Sequence, residues 1–581
     1  MRAAARDSRL PPRRAVALLA AAALGIAPGA GAEPAPGVAA SGGLVRGAAP
    51  HVDRPGTAVV PPGVPDGQEL EALGATIGTI ELHVQNIFDT SDPREDGWLY
   101  RTANALHLKT RDATVRQQLL FAEGARFDAR LLEETERILR SRRYLVDAWV
   151  VPVRYDPARN VVDVSVTVRD VWTLNPGVSF NRAGGENRTR FEIEEQNLLG
   201  TGTKLSLGRS RDVDRSSTLL QYSDPNLGTS WWQLDLAYSD NSDGNVHSAG
   251  LQRPFYALDV RHAYGFTGYS GESVVSRYDR GRIVDQFQGQ RHDYAAWVGW
   301  SDGLVDGVVR RWYAGVRHQH ADFARRPELP LQPARLPAAR KFAYPWIGWQ
   351  FLEDRYAEGA NLDLIGRTED LYLGRSAYLE LGWSSRSFGA DQDAILARAR
   401  GLAGWRLDER RQLFVNAALD GRLEGGVARN VVGSLGGRYF WRLTDRQLLY
   451  AALSGVATQR LDAERQVLLG GEEGLRGYPL RFQGGTSSLL FTVEHRVFTD
   501  WYPFRLVRVG GAAFVDVGRT WGRSLTGAEP LGRLSNVGFG LRLGNNRTGL
   551  GNVLHVDVSY ALDAPPGVKR LEVTVETRER F

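Results

Sequence analysis

From residue 171 to the C-terminal Phe581, short runs of alternating apolar and polar residues are broken by polar turns, and this period of two leaves the β-strand as the dominant regular element. In 231–238, Trp232, Leu234, Leu236 and Tyr238 fall on one face while Gln233, Asp235 and Ala237 fall on the other. The stretch 553–560 repeats the scheme, with Leu554, Val556, Val558 and Tyr560 opposed by His555, Asp557 and Ser559. A soluble sandwich would have to pair Asp235 and Asp557 inside a core, whereas a wall between lipid and a hydrated lumen accommodates both without special partners. After Ala32 no run of about 18 apolar residues can form a membrane-spanning helix. The expected fold is therefore mainly β, a transmembrane antiparallel barrel over 171–581. At about 25 residues per strand and connection, roughly 410 residues predict 16 strands, with 14 and 18 left open by the same count. The polar run 240–245 reads as a turn and the proline-rich 325–340 as a longer exposed loop.

Composition agrees with such a wall. Mean hydropathy is -0.31 although the chain holds 20 Tyr, 15 Trp and 21 Phe, as expected when one strand face meets water and aromatics gather at the membrane interfaces. The net charge of +5 comes without a basic helix or zinc-finger spacing, which argues against nucleic acid as a partner. The absence of cysteine removes thiolate metal sites and a disulfide scaffold. The histidines form no His-Glu-x-x-His, and 268–272 lacks the last glycine of a nucleophile elbow, so no catalytic residue, cofactor or metal site is assigned and an enzyme is not expected.

The N-terminus reads as an export signal over 1–32: Arg2, Arg6, Arg9, Arg13 and Arg14, then an apolar stretch, then Ala30-Gly31-Ala32. Residues 33–73, rich in Pro, Gly and Ala, read as a flexible segment without helix or strand period. A small α/β unit is expected over 74–170. A first strand spans 79–88, Asp112 caps a short helix, and Asp128 caps a second whose Leu131, Leu132, Thr135, Ile138 and Leu139 share a face. Strands over 148–155 and 161–169 follow, the latter alternating Val162, Val164, Val166 and Val168 with Asp163, Ser165, Thr167 and Arg169 as a half-buried sheet would. This β-α-α-β-β order resembles a POTRA domain, the periplasmic module of the Omp85 superfamily. The resemblance implies a sheet edge that takes up an extended polypeptide by backbone hydrogen bonding; a rigid spacer fits the same sequence.

Two short motifs near the C-terminus sharpen the resemblance. Gly474-Leu475-Arg476-Gly477-Tyr478 is followed by Phe514-Val515-Asp516-Val517-Gly518. A guanidinium on an inward-folded loop can place two donors on a wall carboxylate. Gly477 permits close backbone approach, and Tyr478 offers a ring and a hydroxyl to pin the tip. Glu494 and Arg496, two residues apart, share one strand face and are further candidate lumen partners, or simply charges lining a channel. The Arg476-Gly477-Tyr478 run resembles the loop tip of Omp85-type barrels, and Phe514, Asp516 and Gly518 the matching wall motif, which implies an inward loop near 466–486 latched by Arg476 to Asp516. The segment 195–202, with Asn197-Leu198-Leu199-Gly200, is similar to family segments near the first barrel strands. The alternating 571–581 ends on Phe581, as in the C-terminal signal of outer-membrane barrels.

The resemblance places the protein in the Gram-negative outer membrane, among phospholipid and lipopolysaccharide, with its N-terminal domain in the periplasm. It implies insertion or translocation of unfolded outer-membrane or secreted polypeptides, together with periplasmic or outer-membrane accessory proteins. The alternatives are a two-partner-secretion-type transporter of one dedicated polypeptide, with 33–73 a possible lumen plug in extended form, and a passive porin or scaffold.

Overall fold

The computed structural model describes residues 60–549 and 553–578. The signal expected over 1–32, the following segment through residue 59, and the terminal Glu579, Arg580 and Phe581 lie outside the described residues. The N-terminal unit is a three-stranded sheet of β1 (Thr76–Gln85), β2 (Leu145–Asp156) and β3 (Val161–Asp170), in the order β1-β3-β2. Strand β3 runs parallel to β1 and antiparallel to β2. Four helices accompany it: α1 (Gly67–Ala72), α2 (Trp98–Leu106), α3 (Asp112–Arg116) and α4 (Ala129–Arg140).

Helix α1 lies in the stretch read as lacking a helix. Asp66 and Glu69 each accept the other's backbone N–H, a reciprocal cap that a Pro- and Gly-rich neighbourhood conceals. Helix α4 begins where the Asp128 carboxylate accepts from Leu131 N, and its Leu132 and Leu139 pack on Ile77, Val162, Val164 and Val166. Asp112 is the first residue of α3 rather than its cap. The polar residues of β3 are buried as well, because the segment after β1 and the barrel rim close over the second face of the sheet. Arg169 donates to the Asn86 carbonyl, and Arg547 of the rim donates to Ile87 O at 2.6 Å.

Among the described residues, 20 of the remaining strands close into one antiparallel barrel, from Leu174–Ala183 to Leu571–Arg578. The expected 16 is therefore too few. Several hairpins turn through only two residues, at 184–185, 242–243, 280–281, 306–307, 425–426 and 445–446, so each strand with its connection uses less chain than the count assumed. Outward side chains such as Leu207, Val316, Ile347, Leu381 and Phe539 are exposed and apolar, with Phe539 66% accessible, which makes the wall a lipid-facing surface. The barrel is a transmembrane one, and the α/β unit sits at the end where its first strand begins.

Closure is uneven. The first two barrel strands, Leu174–Ala183 and Glu186–Glu195, pair along their whole length, whereas the first and last strands meet among the described residues at one registered pair, Arg182 opposite Val575. Two hairpins depart from the wall and fold inward. The outer one, within the loop 460–486, pairs Val467–Leu469 with Gln483–Gly485. The inner one, within 354–374, pairs Tyr356–Ala360 with Thr368–Tyr372 and enters from the end that carries the α/β unit. Its strands of five residues are shorter than the roughly 9–11 needed to cross a bilayer.

Candidate functional site

The outer loop carries Arg476 into the lumen, where it is 2% exposed. Its Nε and Nη2 donate to the two carboxylate oxygens of Asp516 at 2.9 and 2.8 Å, a bidentate fork. Nη1 reaches Glu494 at 2.8 Å and Asp557 at 3.4 Å, and the guanidinium carbon lies 3.3 Å from the centre of the Phe514 ring. These groups converge because inward positions of neighbouring strands fall opposite each other: Thr492 faces Asp516, and Asp516 faces Asn536. Thr492 Oγ1 and Asn536 Nδ2 each donate to Asp516 at 2.8 Å, so both carboxylate oxygens are doubly held.

The rest of the loop tip is equally fixed. Tyr478 donates to Ser535 O at 3.0 Å, and Ser559 donates to Arg476 O at 2.9 Å. A Cβ on Gly477 would stand 2.7 Å from Asn536 Cβ, and one on Gly518 would stand 2.8 Å from Leu469, so both glycines are required by close approach. Beyond the tip, Leu480 N donates to Gly184 O at 3.3 Å, and Arg481 forms a bidentate pair with Asp214 at 2.7 and 2.6 Å. The loop thus grips the last strands through Arg476 and Tyr478 and the first strands through Leu480 and Arg481, bridging the weakly paired closure.

Glu494 and Arg496 are joined to each other at 2.9 Å, and Arg496 lies over the Tyr450 ring at 3.8 Å. Asp557, read from the sequence as a hydrated lumen charge, is instead wholly buried and bonded to Arg542 as well as Arg476. The guanidinium groups of Arg476, Arg496 and Arg542 balance the carboxylates of Glu494, Asp516 and Asp557, which makes their burial tolerable. Sequence reading singled out Arg476, Asp516, Glu494 and Arg496 and put Asp557 in the lumen without its partners, but it did not pick out Thr492, Asn536 or Arg542. Their placement follows from cross-strand register, which a linear sequence shows only once neighbouring strands are aligned.

Sequence reading also missed the inner hairpin. Leu362 and Ile365 at its tip pack on lumenal Phe440, Leu448, Phe498 and Val553. Arg496 donates to Leu362 O at 2.8 Å, Arg438 to Asp363 at 2.7 and 2.8 Å, and Arg442 to Ala360 O at 2.7 Å. Arg496 therefore touches both inserted elements: the hairpin directly, and the outer loop through Glu494. Among the described residues no group of three or more His, Asp or Glu is placed to hold a metal.

A barrel closed near its first and last strands, entered by an Arg-Gly-Tyr loop and carrying a small periplasmic α/β unit, can be set beside known proteins. The chain is a large antiparallel β-barrel with partial similarity to BamA and CdiB proteins. It is 21% identical over 193 residues to the outer membrane protein assembly factor BamA of Buchnera aphidicola subsp. Acyrthosiphon pisum (strain APS), a match covering 31% of this chain and 28% of that relative's length. Among solved structures, CdiB from Escherichia coli shares 13% identity at a TM-score of 0.45, over 87% of this chain and 76% of that one. CdiB from Acinetobacter baumannii gives 13% identity and 0.43 over 88% and 74%. BamA from Haemophilus ducreyi lacking POTRA domains 1-3 gives 12% and 0.38 over 86% and 85%. At these identities the likeness is one of fold. No family model matches.

Proposed function

We propose that the protein passes an extended, dedicated polypeptide across the outer membrane through the barrel lumen, with the α/β unit acting as a POTRA domain that receives it. The observation that carries this reading is that the lumen is occupied by two elements outside the wall. The loop 460–486 and the hairpin 354–374 are held in the lumen by side-chain bonds, with the loop adding backbone bonds to the turns at Gly184 and Gly281, so both can withdraw while the wall strands stay paired. Strand 487–498 pairs directly with 447–459, and strand 375–384 with 340–353, which leaves each insertion dispensable to the wall. The Arg476 cluster then acts as a latch, and Gly477, Tyr478, Phe514 and Gly518 shape its seat.

The second reading is lateral insertion of barrel precursors, favoured by the single registered pair between first and last strands. Because the chain has no cysteine, two engineered pairs separate the readings. A disulfide between Arg182→Cys and Val575→Cys locks the closure. A short thiol cross-linker between Asp214→Cys and Arg481→Cys tethers the loop. Lumenal export predicts that the tether removes a polypeptide from the culture medium, restored on cleaving the linker, while the closure lock leaves it there. The opposite pattern would overturn lumenal passage in favour of lateral insertion.

A further inference from the structure

Strand β2 is the edge of the N-terminal sheet: it pairs with β3 on one side only. Its other side is nonetheless covered, and by side chains rather than by a strand. Glu136 of α4 accepts from Val150 N at 2.6 Å, and Arg140 donates to Ala148 O at 3.3 Å and to Glu136 at 3.2 Å. Ala148 N is held by the carboxylate of Asp147, and Pro152 brings no N–H. The inner hairpin lies against the same edge. Arg367 donates to Leu145 O at 3.0 Å, Thr368 to Asp147 at 2.8 Å, and Asp370 takes a fork from Arg140 at 3.0 and 2.7 Å, with Glu358 3.3 Å from the same guanidinium.

We infer that the inner hairpin is a built-in occupant of the β2 edge, and that an extended polypeptide adding to β2 displaces it and thereby withdraws the plug from the lumen. The inference rests on the proposed passage of a polypeptide and names the step that opens the way. Its physical ground is competition for the same groups. Val150 N and Ala148 O can be paired by a neighbouring backbone only if Glu136 and Arg140 leave them, and Arg140 is also the side chain that clamps Asp370 and Glu358. A strand offers backbone donors and acceptors in the spacing these groups require, which a folded surface does not. Burial pushes the Glu136 carboxyl up to about 7, so its ionised form is held at a desolvation cost that is relieved when the side chain swings into water. At the other end of the hairpin, Arg496 lets go of Leu362 O and keeps Glu494, which also holds Arg476. Docking in the periplasm is in this way connected to the outer latch by contiguous contacts, with the hairpin as the element having two positions.

The test uses the full chain in lipid nanodiscs and a short peptide of alternating Val and Thr as the probe, read by hydrogen exchange. The peptide should protect 147–152 and in the same sample speed exchange of 356–372. Arg140→Ala should speed exchange of the hairpin without peptide and tighten peptide binding about 10-fold, the reciprocity that linkage demands. Asp370→Asn, which leaves α4 intact, should act in the same direction should Arg140→Ala fold poorly. A disulfide between Asp147→Cys and Thr368→Cys should weaken peptide binding by a similar factor until it is reduced. Protection of 147–152 with unchanged hairpin exchange overturns the inference, as does peptide affinity indifferent to the lock, or absence of protection in both wild type and Asp370→Asn. Loss of export with this exchange pattern intact would instead count against lumenal passage alone.

Discussion

At Arg476 the outcome turns on how many bonds one side chain makes. Removing it leaves Asp516 buried without its cation and Glu494 with Arg496 but not Arg476, and breaking a buried pair of this kind costs about 3–5 kcal/mol. Arg476→Ala should therefore release residues 470–486, seen as fast amide exchange there and as a lower temperature of barrel unfolding on semi-native gels. Arg476→Lys should recover less than half of that loss, because an ammonium cannot reproduce the bidentate fork to Asp516 together with the stack on Phe514. Equal stability of the Lys variant and wild type would show that charge alone holds the tip. Arg476 and Asp516 were legible in sequence because glycines and aromatics surround them in short motifs. Asn536 was not, and Asp557 was read only as a lumen charge, since each acts from a different strand and meets its partners only through register.

Among the elements, α4 was readable from its cap and its apolar spacing, and both are present. Asp128→Ala should cost about 1 kcal/mol, checked as faster exchange across 129–140 in the full chain. The inner hairpin was not read. Its sequence signal was weak: Tyr356–Ala360 and Thr368–Tyr372 do not alternate apolar with polar residues, and only Asn361 and Gly366 mark the turn between them. Counting residues per strand absorbs such a hairpin into the wall, which is why the count says nothing about insertions. Replacing 354–374 with a short Gly-rich turn should leave the barrel folded, because Leu352 and Ser376 are already opposite each other. Single-channel recordings should then show conductance raised several-fold; unchanged conductance would mean that the hairpin is not what narrows the lumen.

For the whole molecule, the barrel class followed from alternation and the absence of long apolar runs, while the strand number depended on turn lengths that alternation does not encode. Among the described residues the closure carries the least registered backbone pairing of the wall, and the outer loop spans it. Releasing Arg481 from Asp214 by Arg481→Ala should therefore speed exchange in Leu571–Arg578 more than in a fully paired strand such as Val427–Thr444, and equal change in both would separate the loop from closure. The cluster around Arg476 has a different consequence, for small ions. Its guanidinium and carboxylate charges cancel, so this stretch of lumen presents little net field to a passing ion. Asp516→Asn keeps the side chain's size but leaves one surplus positive charge there, and the reversal potential across a potassium chloride gradient should shift toward that of chloride. Glu494→Gln should shift it the same way. The neutrality that lets the lock be buried would also keep whatever leaks past it unsorted by sign.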